Sequence, residues 1–142
     1  MLTRGPNDGP ADSLRAQLAN RFDAHLLVSI HLNAHTNAIA CGAASYFFQY
    51  GPVASEPGEH LAGLIQEELS RVGRPDLGAH GKAYPLLRET RMPAVVVEPC
   101  FITNPEELQL LLGSADVLAR ALANAVDRYF SLDHEGAPVG SG

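Results

Sequence analysis

The chain has 142 residues, 46% hydrophobic and 18% charged, and its 10 Lys and Arg against 16 Asp and Glu give a formal net charge of −6. That is one domain's worth of chain; its apolar fraction excludes a disordered or collagen-like polypeptide, and no run of about 18 uncharged apolar residues offers a membrane span. The acidic balance, without any cluster of Lys or Arg, argues against nucleic acid as a partner and favours neutral or cationic ligands.

The opening, MLTRGPNDGPAD, lacks the apolar core of a secretory signal, so no export address is expected in this chain. Asp12 or Ser13 is placed to cap a helix over about Ser13–Phe22, whose Leu14, Leu18 and Phe22 recur every four residues. Leu26–Ile30 (LLVSI) is a short apolar run of the kind found in strands buried on both faces. His31 follows at its end. Ala43–Tyr50 (AASYFFQY) reads as a second strand, closed by Gly51 and Pro52.

Ser55 opens a helix over about Glu56–Val72, with Leu61, Leu64, Ile65 and Leu69 on one face and Glu56, Glu59, Glu67 and Glu68 largely off it. The stretch RPDLGAHGKA reads as a loop leading to Tyr84–Arg88. Ala94–Val97 (AVVV) lies between Pro93 and Pro99, as a central strand with clean stops does, and Glu98 is its last residue. Asn104, Pro105 and Glu107 occupy the N-cap, N1 and N3 positions of a new helix, a capping box. A last helix, about Ala115–Ser131, presents Leu118, Leu122, Ala125, Val126 and Tyr129 on one face. The spacing predicts a domain over residues 1–132 and a disordered tail over 133–142. Alternating helices and apolar strands predict an α/β fold with a mainly parallel sheet flanked by helices, its ligands gathered at the carboxyl ends of the strands.

Two polar side chains end apolar strands, His31 and Glu98. A partly desolvated carboxylate there suits general base and acid work, or it caps or salt-bridges the next helix. The imidazole of His31 suits a metal ligand, a general base or a satisfied core histidine. His31 and His35 are four apart but lack the Glu of a zinc-binding His-Glu-x-x-His helix, and His25, His60, His80 and His134 read as solvent-facing. Cys41 and Cys100 form no Cys-x-x-Cys pair. Cys100 is a nucleophile if a histidine is near in space, and otherwise an inert buried thiol.

Several stretches, in order, resemble the zinc-dependent N-acetylmuramoyl-L-alanine amidases of bacterial cell walls, the Amidase_3 type. They are Thr3-Arg4, Leu14–Asn20 (LRAQLAN), Ser29–Asn33 (SIHLN), Leu61-Ala62, Leu87-Arg88 and, longest, Arg91–Glu107 (RMPAVVVEPCFITNPEE). The resemblance covers about Leu2 to Phe130. It implies hydrolysis of the amide joining N-acetylmuramic acid to the L-alanine of peptidoglycan stem peptides, with peptidoglycan or muropeptide as partner and an extracytoplasmic location. It matches His31 to a zinc ligand and Glu98 to the catalytic glutamate, with Zn2+ as the cofactor.

The family's two other zinc ligands, a His and a Glu, precede the segment that Met1–Arg4 resembles. The expectation is therefore a truncated amidase without the family's first strand and helix, of little activity alone unless His35, His80 or a second chain completes the site. The alternative is a non-catalytic amidase-like module that binds peptidoglycan or regulates wall synthesis. Cys100 stands where the family has Gly.

Overall fold

The structure, a computed structural model, describes residues 1–135. Its elements in chain order are helix α1 (Asp12–Arg21), strands β1 (Leu27–Ile30), β2 (Ala43–Tyr50) and β3 (Val53–Ala54), helix α2 (Glu56–Arg71), strand β4 (Asp76–Lys82), helix α3 (Pro85–Glu89), strand β5 (Ala94–Glu98) and helix α4 (Pro105–Glu135). One five-stranded sheet runs β1-β5-β2-β3, and β4 also pairs with β2. β1 is parallel to β5 and β2 to β4, while β2 is antiparallel to both β5 and β3. The α/β class with flanking helices is as expected, and the sheet is mixed, because an apolar run signals a buried strand but carries no sign of its direction.

β5 shows why the sheet sits at the centre. Val95 and Val97 enter one core with Leu61, Ile65 and Leu69 of α2 and Leu118, Leu122, Ala125 and Tyr129 of α4. Ala94 and Val96 enter the opposite core with Ala16 and Ala19 of α1 and Leu86 and Leu87 of α3. Each fully buried Val contributes about 1.5–3 kcal/mol relative to exposure.

The structure corrects several local expectations. Asp76–Lys82, read as a loop, is strand β4; its two glycines and Asp give it a poor strand signature, and pairing to β2 overrides that propensity. In α1 the buried residues are Arg15, Ala16 and Ala19, whereas Leu14 and Phe22 are 57% and 64% exposed. The leucine spacing marks a helix there without marking the face that the small alanines bring against α3. α1 is capped by neither Asp12 nor Ser13, since Ala11 holds the N-cap without a side-chain bond.

Ser55 does cap α2, its Oγ accepting from the Gly58 amide at 3.1 Å. Glu68, expected off the buried face, is buried and paired with Arg71 and Arg128. The last two helices are joined into α4, with Ser114 (φ −145°, ψ 31°) breaking the helical geometry between them. α4 extends to Glu135, and the rest of the expected tail lies outside the described residues. No helix among the described residues is long and apolar enough to cross a membrane.

Candidate active site at the ends of β1 and β5

β1 and β5 pair in register through Ile30 and Val97, and the His31 amide continues the ladder by donating to the Val97 carbonyl at 2.9 Å. His31 and Glu98 are therefore the next pair along two parallel strands, with both side chains on the α1/α3 face by the alternation of the pleat. The loops beyond them stay laced. Asn33 N donates to Cys100 O at 2.9 Å, Ile102 N to Asn33 O at 2.8 Å, and His35 N to Thr103 Oγ1 at 3.0 Å. The structure thus joins the two candidate residues from segments nearly seventy positions apart in sequence.

Each is held by a partner on the same face. His31 Nε2 lies 3.0 Å from Ser29 Oγ, two residues back on β1, and Ser29 Oγ accepts from the Arg15 guanidinium at 3.2 Å. Arg15 is buried, is paired with Asp12, and leaves its Nε without a partner. Glu98 is half-buried, and its Oε2 accepts from the Tyr46 hydroxyl of β2 at 3.1 Å. Burial first, and then the neighbouring Glu98 carboxylate, push the Tyr46 phenol up to about 12, so it remains a donor throughout the neutral range.

Beneath the site a buried carboxylate ties three segments together. Glu107 Oε1 accepts from the Gly42 amide at 2.7 Å and pairs with Arg74, and its Oε2 accepts from the Phe101 amide at 2.5 Å. Arg74 Nε donates to Pro99 O at 3.1 Å, one residue past Glu98. This corrects the capping-box expectation. Asn104 caps α4 through Oδ1, accepting from the Glu106 and Glu107 amides at 2.9 and 3.3 Å, but the Glu107 side chain turns into the core instead of back to Asn104.

Cys100 is fully buried, and its thiol is pushed up by burial and by Glu107, against a smaller opposing effect of Arg74. A thiol held in its protonated form has little nucleophilicity, so the structure favours the inert reading. Its side chain fits without a left-handed backbone. Cys41 is exposed and both thiols are free. Iodoacetamide is expected to modify Cys41 in the folded protein and Cys100 only after unfolding, as read by mass spectrometry of a digest. Modification of both at equal rates in the native state would overturn this.

The fit to zinc is incomplete. His35 Nδ1 accepts from the Asn37 amide, and His80 Nε2 donates to Leu77 O while its ring packs against Tyr46. His25, His60 and His80 are all exposed, as expected, although the His80 ring also lines the Tyr46 side of the candidate site; the His134 side chain lies outside the described residues. Among the described residues no group of three or more His, Cys, Asp or Glu is placed to hold a metal ion. A catalytic zinc takes three protein ligands and a water, so these residues alone do not fit one.

Reading the sequence missed Tyr46, Arg15 and Arg74 as parts of the site. Tyr46 stood in a stretch recognised only as a strand, and its distance from Glu98 depends on a register that no single strand encodes.

The paired polar side chains His31 and Glu98 lie at the carboxyl ends of two adjacent parallel strands of an α/β domain, β1 at the edge of the sheet and β5 inside it. The model of the N-acetylmuramoyl-L-alanine amidase family matches residues 1–128, and the chain belongs to that family. It is 37% identical over 145 residues to the N-acetylmuramoyl-L-alanine amidase CwlM of Mycobacterium tuberculosis, covering 99% of this chain and 36% of that protein. It is 34% identical over 137 residues to the germination-specific N-acetylmuramoyl-L-alanine amidase of Bacillus subtilis, covering 91% of this chain and 55% of that protein.

Among solved structures, the N-acetylmuramoyl-L-alanine amidase of Clostridium difficile superposes with a TM-score of 0.78 at 33% identity, over 86% of this chain and 66% of that one. The catalytic domain of the Bacillus (Paenibacillus) polymyxa amidase CwlV shares the fold, with a TM-score of 0.78 at 24% identity, over 92% of this chain and 72% of that one. The chain spans between about a third and just over half of the length of these two curated relatives.

Proposed function

We propose that the protein is a cell-wall hydrolase that cleaves the amide between N-acetylmuramic acid and the L-alanine of peptidoglycan stem peptides, and that it works outside the cytoplasm, where that polymer lies. The observation that carries this reading is Glu98, a half-buried carboxylate at the end of β5, beside His31 and with one oxygen held by Tyr46. As general base Glu98 takes a proton from the attacking water while the oxygen bonds to the amide carbon. As general acid it returns that proton to the nitrogen as the carbon–nitrogen bond breaks, releasing a lactyl carboxylate and a free L-alanine amine. Its partly desolvated setting and its place on a rigid strand suit both roles.

His31 is assigned in this reading as one zinc ligand. The incomplete ligand set among the described residues favours a second reading, a peptidoglycan-binding module of little activity. The two are separated by measuring zinc per chain and release of stem peptide from purified muropeptide. One tightly held zinc lost in His31→Ala, together with release of a peptide bearing an L-alanine amine, is expected of the intact protein. Muropeptide binding without zinc or release, in the intact protein, would replace the hydrolase reading with the binding one.

A further inference from the structure

Glu98 offers two carboxylate oxygens, and the fold treats them differently. Oε2 accepts the Tyr46 hydroxyl at 3.1 Å, and Oε1 has no hydrogen-bond partner among the described residues yet is not among the sealed, unsatisfied polar atoms. Oε1 is therefore open to solvent while Oε2 is occupied. Tyr46 is itself held in place. It sits on β2, two positions from Ala44, the residue paired with Glu98, which puts it diagonally across the antiparallel ladder on the same face. Its ring packs against Tyr84 at 5.8 Å (65° between planes) and against His80 at 6.0 Å (37°). The His80 ring is in turn anchored by its Nε2 donating to Leu77 O at 2.7 Å.

We propose that Tyr46 is a positioning residue for Glu98: its hydroxyl fixes the carboxylate through Oε2, so that Oε1 is the oxygen that exchanges the proton with water and with the leaving nitrogen. This rests on the reading of Glu98 as the general base. The chemistry requires such a device. A free glutamate on the last residue of a strand samples several rotamers, and a proton transfer needs its acceptor within hydrogen-bond reach and aligned. A phenol that stays protonated far above neutrality donates to the carboxylate constantly, and a donated bond to a charged acceptor is stronger than one between neutral groups. Aromatic contacts on two sides keep the donor from following the carboxylate away.

The test is a double-mutant cycle with Tyr46→Phe and Glu98→Gln in the intact protein, read as kcat and KM on muropeptide. Tyr46→Phe keeps the ring and its contacts with Tyr84 and His80. It is expected to lower kcat about tenfold with KM unchanged, the scale of one charge-assisted hydrogen bond. In the Glu98→Gln background the same change is expected to cost less than about twofold, because the carboxylate it positions is gone. A loss equal in both backgrounds would make Tyr46 a structural residue only, and an unchanged kcat in Tyr46→Phe would overturn the inference directly. Full activity in Glu98→Gln would instead remove the premise, so failure of the reading and failure of the inference are distinct results.

Discussion

Glu98→Gln is expected to remove about 10²-fold or more of the rate of amide hydrolysis while leaving the fold and any bound metal in place. Gln keeps the shape and continues to accept from Tyr46, but it neither takes the proton of water nor returns one to the amine; general acid and base catalysis of this kind contributes about 10²- to 10⁴-fold. The measurement is the initial rate of stem-peptide release, alongside the metal content and the thermal midpoint of the variant. A rate within a factor of two of the parent would assign the proton transfer to another group.

The second large effect is structural. Glu107→Ala is expected to destabilise the folded state by about 3–5 kcal/mol, the usual cost of removing one partner of a buried ion pair. The physical reason is that Arg74, itself buried, is left as an uncompensated charge with only the Pro99 carbonyl. The amides of Gly42 and Phe101 also lose their acceptor. The urea midpoint of unfolding is the readout, interpreted with the slope unchanged. A shift corresponding to less than about 1 kcal/mol would show that water replaces the carboxylate in that position. Because Glu107 ties the Phe101 amide, three residues past Glu98, to Gly42, just before β2, the same variant is expected to loosen the loop that continues from the site.

These two residues mark where the sequence was legible and where it was not. Glu98 could be picked out because AVVV followed by Glu is a change of chemistry at a strand end, and the place of a strand end in an α/β fold is set by general rules. Glu107 could be picked out only as the third residue of a capping box, a local role, and its side chain took a tertiary one instead. The cap signal from Asn104 and Pro105 was sufficient for the helix to start, which left the Glu107 carboxylate free to enter the core toward Arg74.

By itself the sequence determined the order of most elements, the inner faces of α2 and α4, the two-sided burial of β5, and the two strand-end residues His31 and Glu98. All of these follow from local periodicity and from chemistry at fixed positions along the chain. Only the tertiary structure decided that Asp76–Lys82 is a strand, that α1 buries its alanines and Arg15 instead of Leu14 and Phe22, and that β2 runs antiparallel to β5. It alone placed Tyr46 on the Glu98 carboxylate and Arg74 on Glu107. Those contacts join residues far apart in sequence, and their energies come from pairing and burial between segments, which no local pattern records.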